Sequence, residues 1–194
     1  MAAQQEADSS IIVSLSEAAM HMYSAAIDAL PFPEDKKFHK RADVVLAGMR
    51  KLRTALTEAA SSSRPSPAVI VALSNVRQRY DKLMEHVATA PGANLGQQLY
   101  VTRTHARLSA QEVANGAGLR ADLLDDLEAG ETPTEEEAAK VRDVIAALGG
   151  VPGSEHLEHQ EQQHEHHEHH EEHHDGEESH NNDWDDSLVG DNAG

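Results

Sequence analysis

Residues 95–148 read LGQQLYVTRTHARLSAQEVANGAGLRADLLDDLEAGETPTEEEAAKVRDVIAAL, and their punctuation decides the fold. Ser109 followed three residues later by Glu112 is a capping box, which predicts a helix start. Ala114 is small, as a close helix crossing demands, and Gly118 can take the left-handed conformation that ends a helix. Leu119 plugs the turn, and Leu123, Leu124 and Leu127 continue an apolar face at helical spacing up to a second stop at Gly130. Thr132 and Glu135 form another capping box, with Pro133 at the first helical position of one more helix. Two short helices joined by a tight glycine turn, then a further helix, make a helix-turn-helix signature.

These residues carry a resemblance. Leu95-Gly96, Leu99, Arg103, Leu108-Ser109, Glu112-Val113-Ala114, Ala117-Gly118-Leu119, Leu124, Leu127-Glu128 and Gly130 fall without a gap at the spacing of the lambda-repressor-like (Cro/Xre-type) helix-turn-helix family. The segment resembles that family over residues 95–149. The resemblance implies bacterial or phage transcription control by a homodimer on DNA half-sites about one helical turn apart. It also implies that helix 110–116 approaches phosphates and that helix 121–127 reads bases. Arg103, Arg107, Gln111, Arg120, Ala121, Asp122 and Asp125 are then the expected DNA-binding residues. The chain departs from the family pattern at Asp122, Asp125 and Asp126, where such proteins usually carry Gln, Ser, Thr, Lys or Arg. Aspartate can accept a hydrogen bond from cytosine N4, but it forgoes the phosphate attraction that supplies nearly all non-specific binding.

Charge sharpens this conflict. The 194 residues carry a net −18, and residues 91–150 hold five basic groups (Arg103, Arg107, Arg120, Lys140, Arg142) against ten acids. Residues 36–82, by contrast, hold 11 of the 16 Lys and Arg and only three acids, Asp43, Glu58 and Asp81. Cations for a DNA backbone must therefore come from Lys36, Lys37, Lys40 and Arg41, joined by Arg50, Lys51, Arg53, Arg77, Arg79 and Lys82. The plain alternative is a solvated helix face.

The expected architecture is all-α: a flexible N-terminus over 1–9, an N-terminal three-helix bundle over 10–90, a Cro/Xre-like helix-turn-helix domain over 94–149, and a disordered His/acid-rich tail over 150–194. In the first helical segment Ile12, Leu15, Ala19, Met22, Ala26 and Leu30 repeat at three- and four-residue steps until Pro31-Phe32-Pro33. The second, from Glu34 to Ala60, aligns Phe38, Ala42, Val45, Met49, Leu52 and Leu56. The third, 67–88, aligns Val69, Leu73, Val76, Tyr80, Leu83 and Val87. An antiparallel three-helix bundle buries all three stripes; a coiled dimer of longer hairpins is the alternative. Pro91-Gly92-Ala93 marks a domain boundary, and Asn94 caps the next helix. His21, His39, His86 and His105 are isolated and expected to be surface or capping residues.

The tail interleaves ten histidines between His156 and His180 with glutamates, and residues 151–194 hold 14 acids and no Lys or Arg. Such a composition cannot bury a core. His164, His166, His167, His169, His170, His173 and His174 are candidate ligands for Zn²⁺, Ni²⁺ or Cu²⁺, since imidazoles one helical turn apart suit those ions. No cofactor is required. Protonation of all ten histidines, around a pKa of roughly 6.5, relieves most of the tail's charge. The tail could thus clasp the basic 36–82 region and release it on metal or proton binding. Trp184 in its acidic surroundings is a candidate docking peptide.

With no cysteine, thiolate chemistry is excluded. Glu17, His21 and Asp28 interrupt the apolar run Ile11–Leu30, so no membrane span is expected, and a soluble cytoplasmic protein is. There is no phosphate loop, dinucleotide turn or clustered nucleophile and base, so no enzyme is expected. Two functions remain: a DNA-binding regulator, or an interaction protein whose helix-turn-helix no longer binds DNA and which docks partners through 10–90 or the acidic tail. Metal buffering by the tail ranks third.

Overall fold

Alanine, glutamine and glutamate open the chain, and these helix formers carry α1 from Ala2 to Asp28. The expected flexible segment 1–9 is therefore helical from its second residue in the computed structural model, which describes residues 2–61 and 66–152. Pro31 and Pro33 follow the end of α1. Residues 32–37 then wind into turns, with the Asp35 amide donating to the Phe32 carbonyl at 2.9 Å and the Asp35 carboxylate accepting from the Lys37 amide at 2.8 Å. That local bonding delays α2 to Phe38–Ala60, four residues later than the expected start at Glu34 and at the first residue of its stripe. α3 occupies Pro67–Ala88 with Pro67 at its first turn, as expected.

The three helices run up, down and up. Ile12, Val13 and Met20 of α1 pack on Leu56, Val69 and Leu73, from the end of α2 and the start of α3. Tyr23, Ile27 and Leu30 pack instead on Phe38, Val45 and Met49 near the start of α2 and on Leu83 and Val87 near the end of α3. The α2 and α3 stripes are buried as the periodicity predicts, with Leu52 half-buried. The α1 stripe is corrected. Leu15 is 66% and Met22 67% exposed. The face turned inward runs through Ser16, Met20, Tyr23, Ile27 and Leu30. Apolar residues recur on two sides of α1, and only its neighbours select one.

α4 spans Leu95–His105, capped by a reciprocal pair: the Asn94 side chain accepts from the Gln97 amide and the Gln97 side chain accepts from the Asn94 amide. It is buried on nearly every side. Tyr100 and Val101 join the cluster of Phe38, Val45 and Val87, whereas Leu99 joins Val113, Ala114, Leu124, Leu127 and Val141. The turn at Pro91–Ala93 is therefore a bend between packed helices, not a gap between separate cores. The described residues fall in one compact unit.

α5 (Ala110–Ala117) opens on the Ser109/Glu112 capping box and closes on Gly118 at φ +61°, both as predicted. α6 runs Leu123–Ala129 and stops at Gly130, φ +96°. Its start is two residues later than expected, because Arg120 to Asp122 form the turn and the Arg120 carbonyl accepts from the Leu123 amide at 3.2 Å. α7 covers Glu135–Ala147. Its box is Thr134/Glu137, not Thr132/Glu135; both pairs satisfy the same spacing, and Pro133 sits ahead of the cap. Among the described residues there are seven helices and no strand, and none of these helices is long and apolar enough to cross a membrane.

Candidate functional site

The most heavily invested polar site is a junction of four helices around Glu128, in the last turn of α6. Its side chain is only 6% exposed. Arg53 of α2 donates to its Oε1 at 2.7 Å, and the Tyr80 hydroxyl of α3 donates to the same oxygen at 2.6 Å. Arg103 of α4 lies 3.8 Å from Oε2, and Arg50 donates to the Glu128 carbonyl. The Arg53 guanidinium stacks 4.5 Å over the Tyr80 ring and that of Arg103 4.7 Å over Tyr100. The two rings meet edge to face at 5.5 Å. The Tyr100 hydroxyl donates to Asp81 at 2.6 Å.

Electrostatics follow from that burial. Desolvation pushes the Tyr80 phenol far up, and the Glu128 charge and hydrogen bond push it further. Tyr100 is raised in the same way, by burial and then by its bond to Asp81. Burial pulls Arg53 down, but the Glu128 carboxylate more than offsets it and the net shift is upward. Both phenols stay protonated donors and the guanidinium stays charged, so this cluster holds position and offers no proton for chemistry near neutral pH.

Above it opens a cleft of about 830 Å³ between the second half of α2 and the α4–α6 segment. Arg53, Arg77 and Arg103 line it together with Glu58, Asp81 and Asp125. With Glu128 at its base, carboxylates outnumber guanidiniums, so it is not an electrostatic funnel for a polyanion.

The expected DNA-binding residues are divided among different surroundings. Arg120 is exposed, but it pairs with Asp122 at 3.0 Å, Asp126 at 2.5 Å and Glu137 at 2.8 Å. Those bonds raise its pKa, with Glu137 the largest contributor. Glu137 is in turn lowered to about 2, first by the Thr134 amide and then by Arg120. Gln111 donates to Asn115 one turn on, at 2.9 Å. Ala121 and Asp122 are exposed in the turn before α6, while Asp125 faces the cleft. Arg103 is only 15% exposed. Arg107 is exposed at φ +59°.

Lys36, Lys37, Lys40 and Arg41 are exposed and form no ion pair among the described residues. They cluster where α2 begins, beside Pro91, whose carbonyl accepts from His39 at 2.7 Å. Arg53 lies twelve residues further along α2, roughly 18 Å away at 1.5 Å per residue. The basic cluster expected to serve one polyanion is thus split. Arg50 and Arg53 are spent on α6, and the Lys36–Arg41 group sits at the far end of the helix. The sequence reasoning missed Glu128, Tyr80 and Tyr100 as partners of these arginines.

The candidate metal histidines His164, His166, His167, His169, His170, His173 and His174 lie outside the described residues. Among the described residues no group of three or more His, Asp or Glu side chains is arranged to hold a metal ion.

Residues 23–94 match the family described as MSMEG_6518_N, N-terminal domain. An uncharacterized protein of Mycolicibacterium smegmatis (strain ATCC 700084 / mc(2)155) is 59% identical over 129 residues, which is 66% of this chain and 100% of the relative. No solved structure matches. The family-model match begins within α1 and extends to the cap of α4, so it covers the helices that supply Arg50, Arg53 and Tyr80. With the whole relative matched at that identity, the chain belongs to the family of this mycobacterial protein.

Proposed function

We propose that the chain is a protein-interaction module in which a Cro/Xre-like helix-turn-helix unit, fastened to an N-terminal helical bundle, presents an acidic face to a basic protein partner. The observation that carries this reading is the state of Arg120. It is the one cation between Ser109 and Gly130, and three carboxylates already surround it. A phosphate approaching the start of α6 meets Asp122 and Asp125 before it meets an available positive charge. Neutralising phosphates is what gives protein–DNA affinity its strength and its salt dependence.

A site-resolved titration tests this. Duplex DNA and a lysine-rich peptide are added separately to the isotope-labelled full chain at low salt, and amide shifts are followed by NMR. The peptide is expected to move the amides of residues 120–126, and DNA to leave them in place. Movement of those amides by DNA, abolished in Arg120→Gln, overturns the reading.

One observation favours the second function, DNA-binding regulation: the clustered cations Lys36, Lys37, Lys40 and Arg41, which form no ion pair among the described residues, with the Cro/Xre resemblance beside them. On that reading DNA shifts the amides of residues 36–41 together with those of α5 and α6. Lys40→Gln with Arg41→Gln then lowers the affinity uniformly across DNA sequences.

A further inference from the structure

α1 has a second apolar face that nothing in the chain covers among the described residues. Ile11 is 58%, Leu15 66% and Met22 67% exposed. Ala18, Ala25, Ala26 and Ala29 are exposed with them. At about 100° per residue these seven positions fall within one stripe. It lies well away from the stripe of Ser16, Met20, Tyr23, Ile27 and Leu30 that faces α2 and α3. Steps of four and three residues link Ile11, Leu15, Ala18, Met22, Ala25 and Ala29, which is the spacing of a helix–helix seam. Val44 on α2 is 71% exposed as well. It sits one turn before Gly48 on the α2 flank that borders α1, where a Cβ on Gly48 would strike the Tyr23 ring.

We propose that this face pairs with the same face of a second copy, α1 running antiparallel to α1 about a two-fold axis at residue 20. The order of side chains in the stripe supports that partner. Such an axis sets Ile11 opposite Ala29, Leu15 opposite Ala25 and Met22 opposite Ala18. Each bulky residue meets an alanine of the other copy, and each contact occurs twice, as a two-fold interface requires. In a parallel pair the bulky residues instead stack on one another and the alanines leave gaps.

Charge rules out one other occupant. Residues 1–35 contain no Lys or Arg. The chain's own 151–194 segment, with its 14 acids, therefore finds no cation on α1 to hold it. Glu17 and Asp28 project from the flank away from the stripe, so they do not oppose each other across the seam. Ile11, Leu15 and Met22 are each more than half exposed in the single chain, so pairing removes apolar surface of both copies from water. This pairing is independent of what the α4–α7 segment binds.

The absence of cysteine makes the test clean. Sedimentation velocity on the full chain at tens of micromolar is expected to give a dimer. Leu15→Glu with Met22→Glu should give a monomer with unchanged helical circular dichroism, since both residues are exposed in the single chain. Orientation is read by oxidising a mixture of Ile11→Cys and Ala29→Cys chains. The antiparallel seam yields the mixed disulfide dimer and little of either homodimer, because two copies of residue 11 lie roughly 27 Å apart along the axis. A monomeric wild-type chain, a dimer that survives the double glutamate variant, or efficient Ile11→Cys homodimer formation each overturns the proposal.

Discussion

Replacing Glu128 with alanine removes the acceptor that Arg53 and Tyr80 share and leaves both groups facing each other across an emptied junction. Breaking a buried ion pair from one side costs about 3–5 kcal/mol, because a charge stays behind without its partner. Arg53 keeps 23% of its surface in water and its stack on the Tyr80 ring, which argues for the lower end of that range. The Tyr80 hydroxyl also loses its acceptor on a residue with 0% exposure, but water entering the space vacated beside the cleft takes over that bond and holds the added penalty to at most about 1 kcal/mol. The expected loss for Glu128→Ala is therefore about 3–4 kcal/mol.

Glutamine should behave differently. Both short bonds fall on Oε1, so an amide oxygen placed there keeps both, and only the charge opposite Arg53 and Arg103 is lost. A loss of about 1–2 kcal/mol is expected for Glu128→Gln, the range of a charge-assisted bond reduced to a neutral one.

Urea unfolding followed by circular dichroism measures both variants. With a slope of roughly 2 kcal/mol per molar, the alanine variant shifts the midpoint by about 1.5–2 M. In a cycle with Arg53→Met, the double variant should recover at least about 1 kcal/mol of the summed single losses. Hydrogen exchange should quicken first in the amides of α6. A Glu128→Ala variant within about 1 kcal/mol of the wild type, with α6 exchange unchanged, would show that the four-helix junction does not hold α6 in place.

Other consequences are smaller or simpler. Gly96→Ala drives a Cβ into the Leu127 carbonyl, which is backbone and cannot step aside; about 3 kcal/mol should be lost as α4 and α6 separate, visible as a lowered thermal midpoint. Gly118→Ala meets open space and only the strain of φ +61°, so about 1 kcal/mol is expected, and a loss as large as that at Gly96 would contradict this. Ser109→Ala removes the N-terminal cap of α5 and should lower stability by about 1 kcal/mol, with faster exchange at the Glu112 amide, which Ser109 accepts from at 3.2 Å. Glu137, ordinarily near 4.5, is held at about 2 by the Thr134 amide and Arg120. Its contribution is complete above about pH 4.5 and drains away as the pH falls toward 2, so Glu137→Gln should flatten the acid limb of the stability curve in that window and leave neutral pH little changed in slope.

What the sequence made legible was local. The Ser109/Glu112 box, the glycine stops at 118 and 130, the Asn94 cap and the buried stripes of α2 and α3 each depend on residues within a turn or two, and each stands where the spacing puts it. The α7 box slipped by two residues because Thr132/Glu135 and Thr134/Glu137 satisfy one pattern, and Arg120, brought in from the preceding turn, adds a partner to the second pair. α1 was ambiguous for a different reason. Its apolar residues cover two sides, and periodicity states that a helix has a buried face without saying which.

The candidate site was the least legible part, and the reason lies in how charge was counted. Arg50 and Arg53 stand among Lys and Arg neighbours in a run whose sum is strongly positive, so the run looks like a single surface. Helix geometry divides it. Residues 50 and 53 are three apart and share a side of α2, the side that meets α6, while Lys36, Lys37, Lys40 and Arg41 lie before and within its first turn. Their partner Glu128 is 75 residues away from Arg53 in the chain, beyond the reach of any local rule. Once that pair forms, the Lys36–Arg41 group stands at the far end of α2, against the positive end of its dipole; beside α6 the cleft keeps Arg77 among the carboxylates of Glu58, Asp81, Asp125 and Glu128, and Arg120 in the preceding turn is already neutralised. A regulator that grips DNA through α6 needs cations beside α6. A module that offers a carboxylate-lined surface to a basic protein does not, and the division of the arginines suits it better.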